Sequence, residues 1–249
     1  MDSLPQSIVH YLPVTDHDER WGIVCTTAGY QNVPPDSPYP LTQHPDRYSF
    51  TRSRGRVLGE YQLLYIVSGE GEFSSASCPA THVKAGTIVM LFPEEWHTYA
   101  PDPATGWEEW WVGFRGQNID RRVEEGFFSP KRPLLHIGHS AGIVSCYQEI
   151  IRTVKEERKG FQQLVTGIVL HLLGSVLFKR DNLQYLDNPI VEKINLAREM
   201  MRRHIGDNLP PEEIARRLGI GYTWFRRTFR AYVGIAPAQY QLQMRHNKA

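Results

Sequence analysis

Two helix-length segments joined by a short glycine turn lie near the carboxyl end of the chain, and they constrain its fold most. The first begins at residues 210–213 (PPEE) and ends at Gly219, and the second runs over residues 222–232 and stops at Gly234. A proline suits the first turn of a helix, and the acidic residues there complement the helix dipole. Helix, short turn and helix form the helix-turn-helix pattern, whose second helix lies in the major groove of DNA. The pattern therefore predicts an all-helical DNA-binding segment.

The second of these helices separates its apolar from its cationic residues. Phe225 and Phe229 recur at the i, i+4 spacing of a buried helical face. The outer, early face then carries the candidate base-reading residues Tyr222, Thr223, Arg226 and Arg227. Arginine pairs bidentately with guanine, and each good pair contributes about 1–3 kcal/mol of discrimination. Arg230 and Lys248 are predicted phosphate contacts, which add salt-dependent affinity without reading the sequence.

The distribution of charge agrees with a DNA-binding carboxyl end. Residues 188–249 carry 11 Lys and Arg against five Asp and Glu, a net charge of +6, whereas residues 1–187 carry 17 against 22, a net charge of −5. A basic segment on an acidic body is typical of a chain whose one end meets a polyanion. The alternative is an arginine-rich helical face that is merely exposed to solvent.

The first half of the chain has the composition and spacing that are typical of short strands. It is rich in aromatic and β-branched residues, punctuated by glycine and proline. Strand-length segments lie at residues 61–67 and 107–114, and residues 82–92 form a further pair of elements with a turn at Ala85-Gly86. Repeated short strands with tight turns favour a sandwich or barrel. The first strand is predicted to end at the turn 68–71. Residues 33–45 contain several prolines, which lack the N–H that a sheet needs, and we interpret them as a loop and a candidate lid.

Strand alternation sorts the aromatic residues of the segment 107–114 (WEEWWVGF). Side chains of a strand alternate between two faces, so Trp107, Glu109 and Trp111 share one face. The opposite face carries Glu108, Trp110, Val112 and Phe114, and is apolar enough to pack against helices. A carboxylate between two indoles suits a polar ring compound, because the indoles cover its C–H surface while the carboxylate accepts hydroxyl protons. The alternative is a surface strand with a partly buried tryptophan pair.

The order Gly86-x6-Pro93-x3-His97 resembles the second half of a cupin barrel motif. Metal-binding cupins also need an earlier HxH and a glutamate, since three or four ligands must converge on the ion. The equivalent region, residues 61–64 (YQLL), has no histidine pair. We therefore expect no metal and no other cofactor, and we place His97 at the barrel mouth or in a structural hydrogen bond.

Between residues 141 and 180 the apolar residues recur with a helical period instead of the pattern of short strands. One amphipathic helix is predicted around Ile143, Tyr147, Ile150 and Val154, and a second has an apolar stripe of Phe161, Leu164, Val165, Ile168, Leu172 and Val176. The stripe is broad for a helix that only covers a barrel. Part of it could contact a second subunit, and ordinary packing within the chain is the alternative. Residues 181–189 are polar, end in proline and are interpreted as a linker.

The segment from residue 214 to residue 245 resembles the first helix-turn-helix of the AraC/XylS family of bacterial transcription regulators. The resemblance is carried by Ala215, Leu218, Gly219, Phe225, Phe229, Gly234, Pro237, Tyr240 and Arg245. It implies an α+β chain with a cupin-like effector-binding and dimerisation domain at residues 1–180, a linker at 181–189 and a partial DNA-binding domain at 190–249. In sugar-responsive members the sugar lies inside the barrel, which here implies Arg54 or Arg56, Tyr99, Glu109 and Trp111. Trp107 and His97 are further candidate ligand-binding residues.

Two departures from the family pattern accompany this resemblance. Gly221 stands where a serine-like residue usually caps the recognition helix, which costs a few tenths of a kcal/mol. The chain also ends inside the helix that normally leads to a second helix-turn-helix. We therefore expect this chain to bind DNA weakly and with strong salt dependence.

The sequence thus predicts a ligand-responsive transcription regulator that acts as a homodimer, binds promoter DNA and senses a sugar or similar polar molecule. Activator or repressor stays open, although family habit favours an activator. The alternatives are a cupin-type sugar-modifying enzyme such as an isomerase, and a purely structural dimerisation module. The amino terminus has no signal-peptide pattern, and the three isolated cysteines favour a reducing cytoplasm. No stretch approaches about 18 uncharged apolar residues, so no membrane span is expected.

Overall fold

The computed structural model of the chain describes residues 7–40, 48, 51, 53–185, 188–206 and 209–246. It divides into two compact units, one up to Asp181 and one from Asn182 onward. The amino-terminal unit is an antiparallel β structure covered by helices, and the carboxy-terminal unit is helical. The predicted α+β class, with a β domain first and a helical segment last, is therefore confirmed.

The described part of the amino-terminal unit contains eight strands: β1 (Ser7–Tyr11), β2 (Val24–Val33), β3 (Tyr61–Ser75), β4 (Thr81–Lys84), β5 (Thr87–Leu91), β6 (His97–Pro101), β7 (Trp107–Arg115) and β8 (Leu134–His136). The order across the sheet is β1-β2-β7-β3-β5-β8, and β4 and β6 pair with the second half of β3. Every pairing is antiparallel. This topology places β7 between β2 and β3, where both faces of its strand are covered.

Strand β3 is longer than the sequence predicted. It continues through residues 68–71 instead of ending there, because Gly69 adopts a φ of +75° and the strand bends without stopping. Its register with β7 shifts between Ile66 and Ser68, which marks a β-bulge. The first half of β3 pairs with β5 and β7, and the second half pairs with β4 and β6. The bend allows one strand to serve both parts of the barrel-like sheet.

The two faces of β7 separate as the alternation predicted. Trp110, Val112 and Phe114 lie in a core formed with the covering helices. Trp107 and Trp111 lie in a second core inside the sheet, and Glu109 is buried beside them, 2% exposed. The strand is therefore not a surface strand.

Among its described residues, this unit also has the helices α1 (Asp16–Glu19), α2 (Gln117–Glu124), α3 (Ala141–Glu156) and α4 (Phe161–Asn182). In α3, the residues predicted to face inward are all buried. In α4, the predicted stripe is partly wrong, because Leu164 is 55% exposed while the stripe did not include the buried Val169 and Leu173. The inward face of α4 is broader and rotated relative to the prediction, which followed one row of apolar residues on a helix that is apolar on several sides.

Helix α4 also corrects the sequence argument about membranes. It is long and apolar enough to cross a membrane by length and composition, with a mean hydropathy of 1.6, and no other such helix occurs in the described residues. Residues 161–178 contain no Lys, Arg, Asp or Glu but include polar residues such as Gln162, so the search for about 18 uncharged apolar residues did not find this helix. Seven α4 residues are buried. A single helix of this kind is therefore as typical of the buried core of a globular domain as of a membrane span.

The predicted linker is partly helical. Helix α4 continues to Asn182, a 3-10 turn covers Leu183–Tyr185 and the next helix begins at Pro189, so helical structure extends into the proposed linker 181–189 from both sides. Residues 186 and 187 lie outside the described residues. The carboxy-terminal unit then contains α5 (Pro189–Arg203), α6 (Pro211–Arg217), α7 (Tyr222–Val233) and α8 (Pro237–His246). Its core joins Ile194, Ala197, Met201, Leu209, Ile214, Ala215, Phe225 and Phe229.

Candidate functional site

The central pocket of the amino-terminal unit lies on the inner face of the sheet. Its lining includes Trp111 and Glu109 from β7, Tyr99 from β6, Gln31 from β2 and Arg56, which precedes β3. The remaining described residues that line it are Val9, Tyr11, Thr27, Tyr39, Pro40, Tyr48 and Gln62. An indole, a carboxyl, a guanidinium and several hydroxyl and amide groups thus converge inside one domain.

The Trp111 indole lies against the backbone of β2. Gly29 is the register partner of Trp111, and a Cβ atom at that position would overlap the six-membered ring of the indole. Because glycine has no side chain, the indole can lie across the neighbouring strand and present its other face to the pocket. An aromatic face in this position can stack against the C–H surface of a ring-shaped ligand.

Arg56 connects three walls of the pocket. Its Nη2 donates to the Tyr99 hydroxyl at 2.7 Å, its Nη1 donates to the Tyr48 carbonyl at 2.7 Å, and its Nε donates to His97 Nε2 at 3.2 Å. The guanidinium also lies over the Tyr99 ring, 5.6 Å from its centroid. These contacts hold the cation in one orientation. Arg54 is exposed and lies outside the lining, with its carbonyl accepting a hydrogen bond from Trp96.

His97 supports Arg56 from behind the pocket. It is 1% exposed, and burial together with the Arg56 charge lowers the pKa of His97 to about 4. A neutral imidazole can donate from Nδ1 to the Glu95 carbonyl at 3.0 Å while Nε2 accepts from Arg56. The geometry therefore gives His97 a positioning contact and places it outside the pocket lining.

Glu109 is the buried acid of the pocket. Burial raises the pKa of Glu109 to about 7, although the hydrogen bond from Tyr39 and the charge of Arg56 act in the opposite direction. The Tyr39 hydroxyl donates to Glu109 Oε1 at 3.0 Å. The carboxyl therefore changes its charge near neutral pH, and a hydroxyl group is among its present partners.

Tyr39 belongs to the proline-rich segment that the sequence marked as a loop. Its ring packs at right angles to Trp107, with centroids 5.8 Å apart, and lies 6.2 Å from the Tyr99 ring. With Tyr39 inserted, the free space of the pocket is about 20 Å³, enough for about one water molecule. A ligand larger than water therefore requires some of the lining residues to move. Residues 41–45 of the candidate lid lie outside the described residues.

Trp107 lies behind this tyrosine and outside the pocket lining, in the inner core with Tyr99. The structure thus brings together Arg56, Tyr99, Glu109 and Trp111, with His97 and Trp107 supporting them. Sequence reasoning missed Tyr39, Gln31, Tyr48 and Gln62. Strand alternation on β2 and β3 is the signal that could have indicated the two glutamines. Within the described residues, no three His, Cys, Asp or Glu side chains are grouped as a metal site would need.

The second candidate surface is helix α7 of the carboxy-terminal unit. Phe225 and Phe229 are fully buried and stack edge to face, with ring centroids 5.5 Å apart. Thr223, Arg226, Arg227 and Arg230 are exposed, whereas Tyr222 is half-buried against the helical core. Gly221 is the N-cap and supplies no side-chain hydrogen bond, as the sequence suggested, and Gly234 ends the helix with a φ of +90°.

The cations of α6 and α7 differ in their partners. Arg216 and Arg217 both bind Glu213, at 2.7 and 2.8 Å, and these contacts lower the pKa of Glu213 to about 2. Among the described residues, Arg226, Arg227 and Arg230 make no ion pair with a carboxylate. These three arginines are therefore cations that α7 can offer to an anionic partner without first breaking an ion pair. The Lys248 prediction lies outside the described residues.

Comparison with known proteins identifies the first unit. A family model described as the AraC-like ligand binding domain matches residues 37–173, which is more than half of the chain. The chain belongs to this family. The resemblance to AraC-type regulators drawn from the sequence is thereby confirmed.

Two curated relatives are similar over most of their length. The chain is 22% identical to the Msm operon regulatory protein of Streptococcus mutans over 197 residues, 78% of this chain and 70% of that protein. It is 21% identical to the raffinose operon transcriptional regulatory protein RafR of Pediococcus pentosaceus over 202 residues, 79% and 72% of the two chains. The AraC-like chain is accordingly a transcription regulator with a ligand-binding domain.

Among solved structures, ToxT from Vibrio cholerae is similar at 13% identity, with 75% of this chain and 91% of that chain covered and a TM-score of 0.28. A cupin 2 conserved barrel domain protein from Salinispora arenicola is similar at 16% identity, with 48% and 84% covered and a TM-score of 0.28.

Proposed function

We propose that this regulator senses a carbohydrate in the central pocket and binds DNA through α7. The constellation of Trp111, Glu109, Arg56 and Tyr99 carries the first part of the proposal. A sugar ring offers a C–H face for the indole and hydroxyl groups for the carboxyl, the guanidinium and the phenol. The names of the two curated relatives, both operon regulators and one of a raffinose operon, agree with this ligand class.

The ligand and Tyr39 compete for the same place in this proposal. Tyr39 donates to Glu109 in the structure, and a sugar hydroxyl would take over that hydrogen bond when the tyrosine moves out. A ligand shifts an equilibrium only if it binds one state better than the other. Because the sugar in this proposal takes the place of Tyr39, it favours the state in which the segment around Tyr39 is rearranged.

DNA binding and assembly complete the proposal. The exposed arginines of α7 reach the major groove, with Arg226 and Arg227 as base-reading residues and Arg230 as a phosphate contact. The protein acts as a homodimer in the cytoplasm, where it meets promoter DNA. Exposed apolar residues on α4, Leu164 at 55% and Phe178 at 67% exposure, support dimerisation through that helix.

One observation favours a second candidate function, a cupin-type sugar isomerase. A buried carboxyl with a pKa near 7 is a suitable general acid–base group. We place this function second, because both curated relatives are named regulators. Incubation of the protein with single sugars, followed by chromatography, distinguishes the sensing function from the isomerase function. Conversion of any sugar into another would show that the protein is an enzyme.

The proposed sensing function is tested by a thermal-shift screen of mono- and oligosaccharides. A ligand at 100 times its dissociation constant stabilises the protein by about 2.7 kcal/mol, which is a readily measured shift. Trp111→Ala should abolish the shift, whereas Trp21→Ala, which removes a 58% exposed indole outside the pocket, should keep it. An unchanged shift in Trp111→Ala would place the ligand elsewhere.

A further inference from the structure

A buried carboxylate, that of Glu60, lies directly behind the wall of the central pocket. Glu60 is 5% exposed and immediately precedes β3. It accepts hydrogen bonds from Thr27 Oγ1 at 3.3 Å, from Gln62 Nε2 at 2.9 Å and from the Tyr48 hydroxyl at 3.0 Å. All three donors belong to residues that line the central pocket. One carboxylate behind the wall thus fixes three side chains of the wall.

A glycine makes room for this carboxylate. The register of β2 against β7 shifts at a bulge at Thr26, and beyond the bulge Thr27 pairs with Gly113. On its other side, Gly113 pairs with Gln62 of β3. A Cβ atom at Gly113 would lie 2.4 Å from Glu60 Oε1 and 2.3 Å from Thr27 Oγ1. Because glycine leaves this space open, the carboxylate lies over the middle strand and bridges side chains of both neighbouring strands.

The carboxylate determines which way the Gln62 amide points. Only the nitrogen of an amide can donate, so the contact with Glu60 holds the amide nitrogen toward the carboxylate and the amide oxygen away from it. Gln62 Oε1 accepts no hydrogen bond from a described residue, and it retains accessible surface, unlike Thr26 Oγ1, which is buried without a partner. Gln62 also lines the pocket. Its amide oxygen is therefore available to a ligand there.

The hydroxyl groups of Thr27 and Tyr48 follow the same rule. Each has one proton and donates it to Glu60, so that what remains of its hydrogen-bonding capacity is lone pairs. We call Thr27, Tyr48 and Gln62 the acceptor wall. The Arg56 guanidinium, by contrast, has donors only. The pocket therefore distinguishes the hydroxyl groups of a ligand by the direction of their hydrogen bonds.

We propose that Glu60 is a positioning residue that keeps this wall an acceptor, so that the effector must place there a hydroxyl group that donates to Gln62 Oε1. The inference rests on the proposed function and deepens it, because it states the direction of one hydrogen bond to the sugar and the side chains that set it. A sugar that carries a phosphate or a methyl ether at that position lacks the free hydroxyl group. The wall thus selects the unsubstituted sugar.

Deoxyfluoro sugars test the direction of this hydrogen bond, because fluorine replaces a hydroxyl group with little change in size and cannot donate. The experiment is isothermal titration of the full chain with glucose, galactose and the 2-, 3-, 4- and 6-deoxyfluoro derivatives of each. In the wild type, at least one fluorine substitution should weaken binding about 10- to 100-fold, the equivalent of leaving a buried acceptor unpaired.

Two variants assign that hydroxyl group to the acceptor wall. Gln62→Met removes the amide oxygen at similar side-chain length and should reduce the preference for hydroxyl over fluorine at that position to less than about 3-fold. Glu60→Gln keeps the shape but can donate as well as accept, so the Gln62 amide is free to turn and the same preference should fall. Glu72→Gln removes an exposed carboxyl of β3 and should leave the preference unchanged. A merely structural role of Glu60 would weaken all the sugars alike.

Equal binding of all the fluoro derivatives by the wild type would overturn the acceptor wall, and so would a preference that persists in Gln62→Met. A preference that persists in Glu60→Gln would show that Glu60 does not position the amide. Gly113→Ala, whose Cβ atom displaces the same carboxylate, replaces Glu60→Gln if that variant does not fold. In each case, sugar binding that depends on Trp111 would leave the proposed function standing. Absence of binding by both monosaccharides would overturn the inference, and absence of binding by every sugar of the thermal-shift screen would overturn the sensing proposal as well.

Discussion

Replacement of Glu109 by glutamine should change how the stability of the amino-terminal unit depends on pH. The pKa of this carboxyl rises from 4.5 to about 7 on folding, chiefly through burial. The folded state therefore binds the proton more tightly than the unfolded state, and wild-type stability is lost as the pH rises from about 4.5 to about 7. Each pKa unit corresponds to about 1.4 kcal/mol, so the full loss is about 3 kcal/mol. Glutamine resembles the protonated acid and avoids this loss.

The comparison must use the difference between the variant and the wild type, because His97 titrates in the opposite sense. Its pKa falls from 6.5 to about 4 on folding, so its contribution to stability is lost as the pH falls through that range. The two effects oppose each other in the wild-type profile. Since His97 is present in both proteins, their difference isolates Glu109. We expect it to be close to zero at pH 4.5 and to grow to about 3 kcal/mol in favour of glutamine above pH 7.

Urea unfolding at pH 4.5, 6 and 8, followed by tryptophan fluorescence, measures this difference, since five of the six tryptophans lie before residue 182. Glu108→Gln is the matched control: it removes the neighbouring carboxyl on the same strand, whose side chain lies on the opposite face. The control should leave the wild-type profile in place. A difference for Glu109→Gln that is constant with pH, or that favours the wild type above pH 7, would refute the burial argument.

Three further predictions concern the aromatic platform, the DNA surface and the dimer. Gly29→Ala should displace the Trp111 indole and abolish sugar binding, and it should lower the free energy of unfolding in denaturant by about 1–3 kcal/mol. The control Gly174→Ala, at an open helical position, should preserve binding and stabilise the chain by up to about 1 kcal/mol. Arg227→Ala should weaken binding to a DNA duplex selected from a random pool by about 1–3 kcal/mol in anisotropy titrations. The control Arg203→Ala on α5 should change the affinity for this duplex little. Equal losses of affinity in the two variants would indicate non-specific attraction. Leu164→Glu should shift sedimentation from dimer to monomer without loss of stability, and an unchanged dimer would exclude this face of α4.

The sequence predicted most of what depends on local pattern. Alternation along β7 separated Glu109 and Trp111 from Trp110 and Val112, because a strand has a fixed two-residue period. The helix-turn-helix boundaries followed from Gly219 and Gly234, because both have a positive φ that favours glycine.

The features that the sequence did not predict depend on pairing between strands that are distant in sequence. The spacing of apolar residues carries no information about that pairing. The bulge at Thr26 and the pairing of Gly29 with Trp111 exist only once β2 and β7 are in register. Tyr39 reaches Glu109 across 70 residues of sequence, from a segment that proline content identified only as a loop. The stripe on α4 was misjudged because a helix that is apolar on several sides has no single preferred face.

A crystal structure of the chain with the tightest sugar from the thermal-shift screen tests the central claim most directly. We expect one sugar ring with its C–H face against Trp111, hydroxyl groups within hydrogen-bond distance of Glu109 and Arg56, and Tyr39 withdrawn from Glu109. A sugar bound outside the inner face of the sheet, or a Tyr39 hydroxyl still on Glu109 in the complex, would contradict the account.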